Sequence, residues 1–125
     1  LGQTLHELGR EAEAEAPLRD AWTIRRAALG DASPETVRVR VEYAHAVVSR
    51  DPTAALALLG DLGTVPNDAR GLALVTRARA RSALADLPAA QSDALAARVM
   101  IPRRSAVDRT LHRELDVVVA AAAPP

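Results

Sequence analysis

Apolar residues recur at helical intervals along most of the chain. Leu1, Leu5 and Leu8 share one face of a first helical piece, which Gly9 is expected to end. A second helix is expected from about Glu11 to Leu29, with Ala14, Leu18, Ala21 and Trp22 on its buried stripe. Glu11, Glu13 and Glu15 suit its positive end and Arg25 and Arg26 its negative end, and Gly30 suits the residue just past it. Ser33-Pro34-Glu35-Thr36 reads as an N-cap followed by proline at the first helical position. The third helix then runs to about Ser49, with Val37, Val41, Ala44 and Val48 inward. Its valines make a strand the competing reading, but length and spacing favour helix. Asp51-Pro52 opens a short fourth helix with Ala55, Leu58, Leu59 and Leu62 inward, stopped by Gly60 and Gly63. A fifth is expected over about Asp68 to Ala85. A sixth follows over about Pro88 to Met100, anchored by Leu95 and Val99. A seventh is expected over about Arg103 to Ala122, with Val107, Leu111, Leu115 and Val118 as its stripe, before a frayed tail.

The pattern therefore predicts an all-α fold of about seven helices paired as antiparallel hairpins. Composition sharpens this. Of the 125 residues, 49% are hydrophobic but only 2% aromatic, with no Phe, so the core must be built from Leu, Val, Ile and Ala. Small side chains bury enough area only when many are packed together, which close helix pairing achieves. Alanine also has the highest helix propensity. No Cys is present, which removes disulfides and thiolate chemistry and fits a reducing cytoplasm. The longest apolar run, Val117 to Ala123, is far short of the ~20 residues of a membrane span. No signal peptide is visible, and the chain starts at Leu1 inside a helical pattern, which reads as a piece of something longer. Formal net charge is zero, which gives no lead toward nucleic acid or anionic membrane. Every basic residue is Arg, which reads as the coding bias of a GC-rich genome rather than as selection for anion contacts.

An internal repeat supports the hairpins. Leu1, Gly2, Leu5 and Gly9 superpose on Tyr43, Ala44, Val47 and Asp51. With one turn residue deleted, Ala14, Leu18 and Ala21 superpose on Ala55, Leu59 and Leu62. The run Leu1-Gly2, Leu5, Leu8-Gly9-Arg10, Ala12-Glu13-Ala14-Glu15, Leu18-Arg19-Asp20-Ala21, Ile24 to Gly30 and Ser33-Pro34-Glu35-Thr36 resembles a tetratricopeptide repeat, in the longer kinesin-light-chain-like form common in bacteria. The resemblance is strong over 1–36, moderate over 37–62, and reduces to helix-pair organisation beyond 64. Three positions depart from the family pattern: Glu11 replaces an aromatic, Asp51-Pro52 replaces Gly-Arg, and Pro17 sits one place late. What the resemblance implies is a short right-handed α-solenoid. It would have two helix pairs over 1–62 (the first truncated), a degenerate pair over 64–101, a capping helix over 103–122 and a tail over 123–125.

The resemblance also implies a partner-binding concave face lined by the first helix of each pair. Carried over by position, this face takes Gln3, His6 and Glu7 in the first unit and Arg38, Val41, His45 and Ser49 in the second. The spacing of Arg70, Arg77 and Arg81 adds a basic stripe on the fifth helix, an anchor for acidic groups or simply a solvated face pairing with nearby acids. Residues 66–125 carry about three positive charges in excess and 1–65 about three negative, a mild dipole that can steer a partner. No phosphate loop, His-Glu-x-x-His or nucleophile elbow is present, and Gly60-Asp61-Leu62-Gly63 reads as a helix stop. His6, His45 and His112 are dispersed, which argues against zinc, and the aromatics that stack nucleic-acid bases are lacking. The expectation is a non-enzymatic, cytoplasmic protein-interaction scaffold without cofactor or metal, binding a peptide or protein partner, including acidic ones, and neither nucleic acid nor membrane. Two alternatives stand beside it. One is a regulatory arm of a larger bacterial serine/threonine kinase or transcriptional regulator. The other is a purely structural segment that self-associates through the apolar face of Leu1, Leu5 and Leu8.

Overall fold

A computed structural model describes the backbone of residues 2–122 and the side chains of residues 12–122. Among the described residues the chain is all-helical: α1 Gly2–Leu29, α2 Pro34–Val47, α3 Pro52–Leu59, a single 3-10 turn Leu62–Thr64, α4 Asn67–Ala83, α5 Leu87–Met100 and α6 Ala106–Ala122. The expected all-α stack of antiparallel pairs is present, with six α-helices in place of about seven. The difference lies at Gly9, where no turn forms and α1 runs through as one helix of 28 residues, past Pro17 as well. Glycine costs about 1 kcal/mol against alanine in a helix but does not compel a break. Its neighbours Leu8, Arg10, Glu11 and Ala12 are strong helix formers. The Leu1, Leu5 and Leu8 face lies outside the described side chains.

Contacts between helices fix their directions. On α1 and α2, Glu15 meets Arg50 just past α2, and Trp22 meets Tyr43 with ring centroids 5.8 Å apart, so numbers fall on one helix as they rise on the other. Arg26 covers the Trp22 ring at 4.4 Å, and the only Trp of the chain is thus a packing residue, as its place on the stripe implies. On α4 and α5, Arg77 and Arg81 meet Asp93 while Gly71 lies against Ile101. On α5 and α6, Arg98 meets Asp116 and the Ile101 carbonyl meets His112. Each of these pairs is antiparallel. α2 and α4 are instead parallel neighbours, since Arg38 meets Asp68 near their starts and Ser49 meets Arg79 near their ends.

Local chemistry sets the breaks. Gly30 adopts φ 87, and its N–H donates to the Arg26 carbonyl, closing α1. α4 ends in the same manner but without glycine. Ala85 takes φ 65, the Asp86 N–H reaches back to the Arg81 carbonyl and the Leu84 N–H to Ala80, two residues before the expected end. Asp51 caps α3 by accepting from the Ala54 N–H at 3.0 Å. Gly63 stops no helix; it sits in the 3-10 turn, where its N–H donates to Asp61. α6 begins at Ala106 rather than near Arg103, because Ser105 and Asp108 form a reciprocal capping box. The Asp108 N–H donates to the Ser105 hydroxyl, and the Ser105 and Arg104 N–H groups donate to the Asp108 carboxylate.

The core joins Val37, Val41, Val47 and Val48 of the α2 segment to Ala55 and Leu59 of α3, the buried faces of α4 and α5, and Leu111, Leu115 and Val118 of α6. Three expectations about it fail. Leu95 and Val99 do not anchor α5: they are 47% and 87% exposed, and Ala90, Asp93, Ala94 and Ala97 are buried instead. Close pairing against α4 selects small residues, so side-chain size misidentifies the inner face. Val107 is exposed at the start of α6, one turn before the buried part of its stripe. The stripe on α1 is only half-buried. No helix among the described residues is long and apolar enough to cross a membrane.

Candidate interaction surfaces

α4 is the hub: it packs against α2, α3, α5 and α6. Its eight buried residues leave two partly exposed stripes. Leu72 and Arg79 lie on one of them, and Arg70, Arg77 and Arg81 on the other. At about 100° per residue, Arg77 and Arg79 point to nearly opposite sides of the helix. The residues expected to form one groove therefore fall on two surfaces.

The first surface runs across α2, α4 and α6. At one end the Arg38 Nε donates to Asp68 at 2.9 Å. At the other, His45, Arg79 and Glu114 from three helices converge with Ser49, just past α2. Arg79 donates to Glu114 of α6 and to the Ser49 hydroxyl, and His45 Nε2 lies 3.1 and 3.3 Å from the two Glu114 carboxylate oxygens. An acceptor-only carboxylate requires Nε2 to carry a proton, so the 3.4 Å approach of Arg79 to that same nitrogen is a contact and not a second donation to it. His45, Arg79 and Glu114 are all largely covered, so their mutual pairing is less screened than a surface ion pair. Leu72 lies between the two ends and packs on the core. Val41, expected on this face, is instead fully buried, on the side of α2 that faces the core with Val37, Ala44 and Val48. Gln3, His6 and Glu7 lie outside the described side chains.

The second surface is on the α5 side of α4. Arg77 grips Asp93 of α5 through Nε and Nη2 at 2.9 and 2.8 Å, and Arg81 donates Nη1 to the same carboxylate at 2.8 Å. Arg70 turns the other way and donates to the Val65 carbonyl at 3.2 Å. The stripe is thus partly engaged within the protein, on a single buried acid.

Sequence reasoning placed Arg38, His45 and Ser49 but missed Asp68, Arg79, Asp93 and Glu114. Arg79 was hidden between Arg77 and Arg81, which share the opposite face. Asp93 could have been flagged as the one acid within the otherwise uncharged run from Leu87 to Ala97 of α5. Glu114 carries no local signal, since its partners lie 35 or more residues away. Among the described residues, no group of three or more His, Cys, Asp or Glu is gathered to hold a metal ion.

These features define a short helical stack whose polar pairs tie both adjacent and alternate helices together. A family model described as tetratricopeptide repeat matches residues 1–35, and that segment is similar to such a repeat. No curated protein and no solved structure matches the chain.

Proposed function

We propose that the protein is a non-catalytic scaffold that binds a peptide or partner protein across the α2, α4 and α6 surface. One observation carries this reading: two polar clusters, Arg38 with Asp68 and Arg79 with Glu114, His45 and Ser49, bridge α2, α4 and α6 and hold the three as one firm platform. A preorganised surface of this kind loses little conformational entropy on binding. The repeat match over 1–35 supports the same class of function. The half-buried Leu72 offers an apolar contact between the charged ends. Selection from a random displayed-peptide library on the purified chain tests it. Selected peptides should lose binding to Leu72→Arg and to Glu42→Arg, an exposed α2 position one turn from both Arg38 and His45, and keep it on Val99→Asp, which lies on the outer face of α5. Equal loss on all three, or no enrichment at all, would reject this surface.

A further inference from the structure

The Arg77, Arg81 and Asp93 cluster has unspent binding capacity. A guanidinium carries five N–H donors, and Asp93 takes two groups of Arg77 and one of Arg81. Among the described residues Asp93 is the one carboxylate that pairs with either arginine. One negative charge therefore faces two positive ones. The carboxylate is 6% exposed, whereas the arginines are 25% and 31% exposed, so the acid lies beneath and the arginines remain open to solvent above it. Two long cations are held side by side by a buried anion, and the conformational cost of ordering them is already met within the fold. Arg70 lies on the same stripe of α4 and adds a further positive charge to that side of the helix.

We propose that the exposed edges of Arg77 and Arg81 form a second binding site, for a carboxylate side chain of an acidic peptide segment in a partner protein. A carboxylate fits the planar fork of Arg81 and bridges to the free Nη1 of Arg77, completing a cluster of two cations and two anions. This site lies on the opposite side of α4 from Leu72 and Arg79, so it stands or falls independently of the α2, α4 and α6 surface.

The test uses a fluorescein-labelled peptide of six glutamates, read by fluorescence anisotropy at low ionic strength, with a six-glutamine peptide as blank. Arg81→Gln leaves Asp93 bidentate on Arg77, so the fold is expected to persist. It should weaken binding at least about tenfold, the scale of one bidentate charge-assisted contact. Arg81→Lys, which keeps the charge and loses the fork, should recover only part of that loss. Arg109→Gln, an exposed change on α6, should alter binding less than about twofold. Leu72→Arg should leave the glutamate peptide bound, which separates this site from the proposed platform. Absence of binding, or equal losses on Arg81→Gln and Arg109→Gln, would overturn the proposal. So would displacement by inorganic phosphate at concentrations where acetate has no effect, since that marks a phosphate site.

Discussion

The segment that matches a repeat family and the segment that holds the core are different parts of this chain. Residues 1–35 match the tetratricopeptide repeat model, yet none of their described side chains is fully buried. Residues 36–118 lie outside that match and contain every buried residue described. A repeat motif records how one unit packs on its neighbours, through small and large residues at set positions. Burial records how many neighbours a unit has. α1 packs chiefly on α2, whereas α4 sits among four helices. Family signature and local stability therefore need not coincide.

The largest effect expected from this contrast is in the core. Leu115→Ala, at a fully buried site, should cost about 2–5 kcal/mol in urea unfolding. Ile24→Ala, at a site 67% exposed in the matched segment, should stay within about 0.5 kcal/mol. Similar losses at both would mean that α1 is buried to the same depth as the rest. The next effect concerns helix spacing. A Cβ on Gly71 would come within 2.8 Å of Ile101 Cγ1, a stiff β-branched atom. Gly71→Ala should therefore lose about 1–3 kcal/mol by overpacking, although alanine favours helix. A gain in thermal midpoint would show that the α4 and α5 junction gives way freely.

How far the sequence reveals this molecule follows from which interactions are local. Helix starts and stops were legible wherever one residue sets them: Gly30, Ser33-Pro34, Asp51-Pro52. The inner faces of α2 and of most of α6 were legible because large residues mark them. The inner face of α5 was not, because there the close approach of α4 reverses the rule that large residues go inside. The candidate surfaces were legible only in half. Each polar cluster joins residues far apart in sequence, and which arginine meets which acid depends on how the helices stack. The α1 turn was misread because Gly9 permits a break that its neighbours do not need.

Two helix endings sharpen the comparison at smaller scale. In the matched segment the left-handed position is Gly30, at no steric cost, while at the end of α4 the same role falls to Ala85. An L side chain in this conformation costs about 1 kcal/mol. Ala85→Gly should raise stability by roughly that amount and Gly30→Ala should lower it similarly, both read from urea midpoints. Opposite signs at the two sites are the prediction, and a loss at both would mean that the Ala85 methyl makes a packing contact worth more than the strain.

The smallest effect compares two helix starts across pH. At the start of α2, the Ser33 hydroxyl donates to the Glu35 carboxylate at 2.7 Å and caps no helix N–H group. Before α6, Asp108 instead receives two backbone N–H groups and returns its own N–H to Ser105. Both carboxyls are held below their ordinary values of 4.5 and 3.8, Glu35 chiefly by the Ser33 hydroxyl and Asp108 chiefly by the Arg104 N–H. A carboxyl whose folded value is depressed stabilises the fold above its unfolded value, and that contribution disappears as pH falls through the folded one. The stability gap between the protein and Asp108→Asn should thus be full near neutral pH, begin to close near pH 3.8 and vanish in stronger acid. Glu35→Gln should show a gap of the same sign that is smaller, since its carboxylate engages a flexible hydroxyl and its own backbone N–H, whereas Asp108 holds the N–H groups of two residues that precede its helix. Urea unfolding at a series of pH values between neutrality and strong acid reads both gaps. A constant Asp108→Asn gap across that range would mean that the capping box works through its shape alone, with the charge on Asp108 contributing nothing.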